Sequence, residues 1–199
     1  MTEAMEYSNH AIATVIGIGG CGISMVQSWR SRMPEGVRCI AMDRDKRDFV
    51  KSSRFEQKII LSGIKSKAST VEYAESVRKE LEASLQSHLL DLDQQLAENG
   101  SVILVAGLGG VIGTWGVQLL CNHLTAREKS VITMLTMPFG FERERIKVAE
   151  AALPGFDGAA HRVLCFNDYL IKHTPDGISM EDALNIMNDK AFEMIPFDA

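Results

Sequence analysis

The stretch Val102-Ile103-Leu104-Val105-Ala106-Gly107-Leu108-Gly109-Gly110-Val111-Ile112-Gly113-Thr114 runs from an unbroken apolar segment straight into a glycine-rich loop. Buried strands of parallel sheets read as near-continuous apolar runs, and glycine lets a chain turn tightly from such a strand into a helix. The same pattern stands upstream in Ala13-Thr14-Val15-Ile16-Gly17-Ile18-Gly19-Gly20-Cys21-Gly22. One such loop is weak evidence for a ligand site. Two of them, each leaving an apolar strand, place two turns of backbone N–H groups on one sheet with helix N-termini behind them. That arrangement favours anionic phosphate.

Working outward, strand and helix patterns alternate. Ala13–Ile18 reads as a buried strand, and Ile23–Met33 as a helix ended by Pro34-Glu35-Gly36. Val37–Met42 is a second strand, opening into the charged run Asp43-Arg44-Asp45-Lys46-Arg47-Asp48. Phe55–Leu61 is a short third strand. Tyr73, Val77, Leu81, Leu85, Leu89, Leu92 and Leu96 then recur at helical spacing. They predict a long amphipathic helix whose stripe packs on a core, with Ser69 or Thr70 at its start and Asn99-Gly100 at its end. Ser101–Ala106, Val131–Thr136 and Arg162–Phe166 are the remaining strands, and Thr114–Leu124, Phe141–Ala152 and Ser179–Met194 the remaining helices. Repeated βα units predict an α/β fold, a single Rossmann-like, doubly wound and mainly parallel sheet over residues 1–199. Ligands on such sheets sit at the carboxyl ends of the strands near the topological switch point, where both glycine loops fall.

The 199 residues suffice for one large α/β domain. The net charge of -5 argues against a nucleic-acid partner, which usually leaves a basic footprint. No signal-peptide core or bilayer-length apolar run occurs, so a cytoplasmic location away from membranes is expected. Cys21, Cys39, Cys121 and Cys165 form no C-x-x-C pair and read as buried free thiols. The five histidines do not cluster, so no metal site is assigned.

Gly17-x-Gly19-x-x-Gly22 matches the dinucleotide fingerprint, and Asp43 stands about where a ribose-binding acid would be. Alone, these features fit an NAD- or ATP-using Rossmann-type enzyme, including adenylate-forming enzymes of the ubiquitin-activating type. A tight turn that binds nothing is the plainer alternative. A Walker-type loop is excluded, because no Gly-x-x-x-x-Gly-Lys-Ser/Thr occurs. No convincing nucleophile or acid–base pair stands outside the loops, so no residue is assigned a catalytic role.

The second glycine loop shifts the balance, since a dinucleotide fold does not require it. Taken in order, the chain resembles the FtsZ/tubulin family. Met5-Glu6 and Ala11–Val15 resemble its N-terminal entry, Gly17–Ser24 its first phosphate loop (GVGGxGGN) and Ala106–Gly116 its signature loop (AGxGGGTGTG). Thr136-Met137-Pro138-Phe139-Gly140-Phe141-Glu142, followed by Arg145 and Ala149-Glu150, resembles TxPFxxE…R…AE. Phe166-Asn167-Asp168-Tyr169-Leu170 resembles PNDxLL, and Ser179–Leu184 with Asn188-Asp189 resembles SLxDAFxxAND.

The resemblance implies a guanine-nucleotide site, for GTP or GDP with Mg²⁺ as the accompanying ion. Gly19, Gly20, Cys21, Gly22 and Ser24 would lie at the diphosphate, and Asp45 at the exit of the second strand. Gly107, Gly109, Gly110, Gly113 and Thr114 would wrap the phosphates, with Pro138 and Phe141 in the loop beside them. Glu142 would bond the ribose and Arg145 would stand near the sugar and base. Asn167 and Asn188 would read the guanine edge, which an amide can match in both donors and acceptors, and Leu184 would pack on the base face.

Departures from the pattern shape the functional expectation. Val111, Ile112 and Trp115 replace Gly, Thr and Gly of the signature loop. β-Branched residues tolerate positive φ poorly, so the loop is either strained or reshaped. Trp115 is large enough to lie across the phosphate site. Asp43-Arg44-Asp45 replaces NTD, and the AGANP-like loop has no counterpart, leaving Lys65 or Lys67 as substitute phosphate contacts. The chain stops at Pro196-Phe197-Asp198-Ala199, before the family's second domain and its NxDxxD/E catalytic loop. The expectation is therefore a divergent relative that binds guanine nucleotide weakly or has a degenerate site. It would not hydrolyse alone, and would regulate or cap a full-length FtsZ/tubulin-like subunit or associate with itself. The rivals are the NAD- or ATP-using enzyme and a nucleotide-independent scaffold that oligomerises through the leucine stripe.

Overall fold

A computed structural model describes residues 12–49, 54–65, 74–96, 100–156, 159 and 161–195. Six strands form one sheet, β1 (Ile12–Ile18), β2 (Arg38–Asp43), β3 (Gln57–Ile60), β4 (Ser101–Gly107), β5 (Val131–Met137) and β6 (His161–Phe166). Their order is β3-β2-β1-β4-β5-β6, and every pairing is parallel. The predicted doubly wound sheet is thus what the chain forms. Its switch point lies between β1 and β4, the two strands that lead into the glycine loops. There Val15 pairs with Ile103 and Ile16 with Leu104.

Side chains alternate across each strand and feed two cores. Ile16, Ile18, Leu104, Ala106 and Leu135 point to one face, and Val15, Ile103, Val105, Ile132 and Met134 to the other. Helix α2 (Ala74–Gln95) covers the first face. Val77, Leu81, Leu85, Leu89, Leu92 and Leu96 of the leucine stripe are all buried there. The stripe is therefore core, and the scaffold reading loses the surface it needed. Tyr73, the caps Ser69 and Thr70, Asn99 and Lys67 lie outside the described residues, as do Met5, Glu6, Ala11 and Pro196–Ala199.

Helix α1 (Gly19–Trp29) covers the second face together with α6 (Met180–Glu193). It starts at Gly19 rather than at Ile23, because the glycine loop is itself the helix's first turn. Trp29 is fully buried, and its indole Nε1–H donates to the Asn188 carbonyl of α6 at 2.7 Å. Ser179 caps α6, its Oγ accepting the Asp182 N–H at 3.1 Å. The remaining helices are α3 (Val117–Thr125), α4 (Arg143–Ala152) and the short α5 (Asn167–Leu170). Among the described residues no helix is long and apolar enough to cross a membrane.

Candidate functional site

The exits of β1, β2, β4, β5 and β6 surround one cavity of about 340 Å³, a size typical of small-molecule sites. Gly19, Gly20 and Cys21 line it from β1, Asp43, Arg44, Asp45 and Asp48 from β2, and Gly107, Gly110 and Gly113 from β4. Thr136, Pro138, Glu142 and Arg145 line it from β5, and Asn167 from β6. Ile18, Leu108, Val111 and Ile112 supply its apolar wall.

Two glycines hold the loops together without themselves needing to meet a ligand. A β-carbon at Gly22 would lie 2.1 Å from the Val105 carbonyl oxygen, so its absence lets α1 seat on β4. A β-carbon at Gly113 would lie 2.2 Å from the Gly107 carbonyl oxygen. The sulfur of Cys21 packs against Gly107 and stands 3.8 Å from Thr136 Oγ1. The two loops therefore form one joint.

Of the sequence-predicted residues, Gly22, Ser24, Gly109, Thr114, Phe141, Leu184 and Asn188 do not line the cavity. Ser24 is exposed on α1. Thr114 is fully buried, and its Oγ1 accepts the Gly109 N–H at 2.8 Å, so it braces the loop from behind. Phe141 is exposed and stacks on Phe139 with centroids 5.4 Å apart. Leu184 is exposed on α6, and Asn188 is half-buried.

The structure decides two alternatives that the sequence leaves open and corrects one expectation, the burial of Cys21. Val111 and Ile112 are unstrained, because the loop passes at once into a helical turn. Val111 has φ -58° and ψ -58°, and Ile112–Gly116 forms a π-helical turn. Trp115 does not lie across the cavity. It is buried in the core beneath α2, with the Arg78 guanidinium 5.9 Å from its ring centroid. The winding of this π-helical turn puts Val111 and Ile112 toward the cavity and turns Trp115 away from it. Finally, Cys39, Cys121 and Cys165 are buried but Cys21 is exposed, since it opens on the cavity wall. Burial of its inward-turned sulfur still raises the thiol pKa.

The cavity carries an excess of acid. Four carboxylates line it, Asp43, Asp45, Asp48 and Glu142, against the guanidinium groups of Arg44 and Arg145. Glu142 Oε2 accepts the Phe139 N–H at 3.0 Å, and its Oε1 accepts from Arg145 Nη1 at 2.7 Å. Asp45 is bonded to the Arg47 side chain, which holds its carboxyl down to about 2. Asp43 is buried and accepts the N–H groups of Arg44 and Asp45. Burial pushes its carboxyl up, the two backbone bonds oppose that, and Asp48 adds to the rise. An anion entering here must be met chiefly by backbone N–H groups and the N-terminus of α1.

Asp48 and Thr136 were missed as lining residues. Their signal was positional, because every strand of a parallel sheet delivers its exit to the same edge. The gap between β5 and β6 is closed by Asp168, whose Oδ2 accepts the Gly140 N–H at 2.9 Å.

The sequence pattern of the Tubulin/FtsZ family, GTPase domain, matches residues 12–174. The chain belongs to this family. The cell division protein FtsZ of Buchnera aphidicola subsp. Baizongia pistaciae is 30% identical over 196 residues, covering 95% of this chain and 49% of its own. FtsZ 2 of Methanocaldococcus jannaschii is 22% identical over 176 residues, covering 88% of this chain and 45% of its own. The chain spans about half the length of the curated relatives it matches. In fold it is similar to a GTPγS-bound protofilament structure of CetZ2 from Haloferax volcanii, with TM-score 0.75 and 20% identity over 90% of this chain and 55% of that one. An empty FtsZ dimer of M. jannaschii gives TM-score 0.73 and 19% identity over 92% of this chain and 52% of that one. In this Tubulin/FtsZ domain both glycine loops line the cavity.

Proposed function

We propose that this FtsZ-like domain holds a guanine nucleotide, GDP or GTP, in the cavity at the switch point. The observation that carries the reading is the convergence of Gly19–Cys21 and Gly107–Gly113 on one cavity beside the start of α1. The phosphates lie against these loops with Mg²⁺ as counter-ion, the sugar lies beside Glu142 and Arg145, and the base points past Asn167 toward α6. The acid excess of the lining and the lack of a hydroxyl at Ile112 support weak affinity. The engagement of Asp43, Asp45 and Glu142 with neighbouring donors supports the view that these residues do not hydrolyse the nucleotide alone.

The dinucleotide reading is less well supported. It needs Asp43 for a ribose, whereas that side chain is buried and accepts the N–H groups of Arg44 and Asp45. Thermal unfolding with GTP, GDP, ATP and NAD, each with and without Mg²⁺, separates the readings. A ligand at a hundred times its Kd adds about 2.7 kcal/mol of stability. A shift with GTP or GDP alone supports the guanine site. A shift with NAD or ATP instead supports the enzyme, and no shift at all defeats the nucleotide reading.

The domain's proposed partner is a filament-forming subunit of the same family or a second copy of itself, with a part in cell division in the cytoplasm. The named relatives are cell division proteins. Phe141, Phe166 and Tyr169 are exposed on the carboxyl side of the sheet, where such a contact would cover them. Regulation by capping requires that the purified protein change the polymerisation of an FtsZ-type subunit in a sedimentation assay. Unchanged polymerisation removes that part of the reading.

A further inference from the structure

Asp48 lies in a short 3₁₀ turn, Lys46–Phe49, that follows β2 and reaches back over the first glycine loop. A β-carbon placed on Gly20 would find Asp48 Oδ2 at 3.2 Å, Cγ at 3.3 Å and Oδ1 at 3.4 Å. The carboxylate therefore stands against the flank of the first turn of α1, which begins at Gly19. Both Gly20 and Asp48 face the cavity. The positive end of a helix is the place where a bound phosphate gains most from backbone N–H groups. Here a carboxylate of the same chain stands beside that place, over the open side of Gly20. Asp43 also lines the cavity and is hydrogen-bonded to Asp48 through its side chain. Arg44, from the same strand exit, and Arg145 are the cationic lining groups.

We propose that Asp48 is an internal anion of this pocket, occupying the position over Gly20 that a phosphate group of the ligand takes. The proposal rests on the nucleotide reading for its ligand but not for its test. Asp48 selects against phosphate chains by direct competition and by repulsion across the cavity, so the wild-type pocket binds them weakly. A phosphate enters only when the Lys46–Phe49 turn lifts away or the carboxylate is neutralised. Because Asp48 is exposed, water screens part of this repulsion and the effect is smaller than a buried charge would give.

The test measures inorganic pyrophosphate and GDP binding by calorimetry on the full chain, without added metal, for the wild type, Asp48→Asn, Asp48→Ala and Asp48→Glu. Circular dichroism verifies that each variant is folded. Asp48→Asn and Asp48→Ala are expected to tighten pyrophosphate by about fivefold or more, while Asp48→Glu stays near the wild type. GDP should gain in parallel and compete with pyrophosphate. If pyrophosphate tightens but GDP neither binds nor competes, Asp48 is the internal anion and the nucleotide reading fails instead. Unchanged or weaker pyrophosphate binding in Asp48→Asn and Asp48→Ala overturns the proposal, as does the absence of binding in every variant. Repeating the titration with Mg²⁺ gives one more decisive result. If Asp48→Asn then binds GDP more weakly than the wild type, the carboxylate is a cation ligand and the proposal is wrong.

Discussion

Gly113 sits so close to Gly107 that a single methyl group at Gly113 would stand 2.2 Å from the Gly107 carbonyl oxygen. The neighbour is backbone at the end of a central strand, so it cannot rotate aside. Gly113→Ala is expected to lose about 2 kcal/mol or more in urea unfolding. Gly110 shares the loop, yet nothing lies within 4 Å of the place its β-carbon would take. Gly110→Ala should therefore stay within about 0.5 kcal/mol of the wild type. Equal losses for the two variants would show that the loops do not pack as described.

Asp43 gives a pH dependence with a definite sign. Its carboxyl is raised above the ordinary 3.8, chiefly by burial. The folded state therefore binds the proton more tightly than the unfolded chain. Wild-type stability should fall as pH rises from about 4 through the folded value, and the penalty persists at pH 7. Asp43→Asn keeps an oxygen for the Arg44 and Asp45 N–H groups but carries no charge. It should be at least as stable as the wild type at pH 7 and lose the fall in that window. Asp45 acts in a different window. Its carboxyl is held near 2 by Arg47, so its contribution is present above about 4 and lost as pH drops toward 2. Urea unfolding from pH 2 to 7 reads both.

Trp115 is a core residue, with 5% of its surface exposed. Trp115→Ala should cost about 3–5 kcal/mol. Trp115→Phe, folded and compared at saturating ligand, should leave guanine nucleotide affinity within about twofold. A large change in affinity with stability intact would mean that the indole reaches the cavity in solution.

Glu142 joins the Phe139 N–H to the Arg145 guanidinium. Glu142→Ala removes both acceptors and should cost about 1 kcal/mol of stability. In the proposed site it also removes the ribose contact, so GDP affinity should drop about tenfold, equivalent to 1.4 kcal/mol. An affinity that stays constant while stability drops would leave Glu142 and Arg145 as a surface ion pair alone.

The fold was readable because burial leaves a strong imprint on sequence. Val102–Ala106 lies between two helical layers, so every position had to be apolar, and the period of Val77 to Leu96 fixed the buried face of α2. The order of motifs also placed both glycine loops at the switch point. Side-chain direction within the loops was harder to read. Trp115 and Thr114 lie in the same motif as Gly113, yet a helical turn aims Trp115 at α2 and Thr114 at the Gly109 N–H. Motif matching alone cannot supply that rotation. Asp48 was hidden for another reason. It reaches Gly20 through a 3₁₀ turn at the end of a different strand, a placement that follows from strand order and not from its sequence neighbours.

Helix α1 has a consequence beyond the cavity. Its first residue, Gly19, is cavity wall, and its last, Trp29, is tied to the Asn188 carbonyl of α6. At about 1.5 Å per residue, these 11 residues make a rod roughly 16 Å long with a fixed grip at each end. A tilt imposed at the pocket end is carried to α6 as leverage, so the state of the pocket can be sensed at the opposite end of α1, on the same face of the sheet.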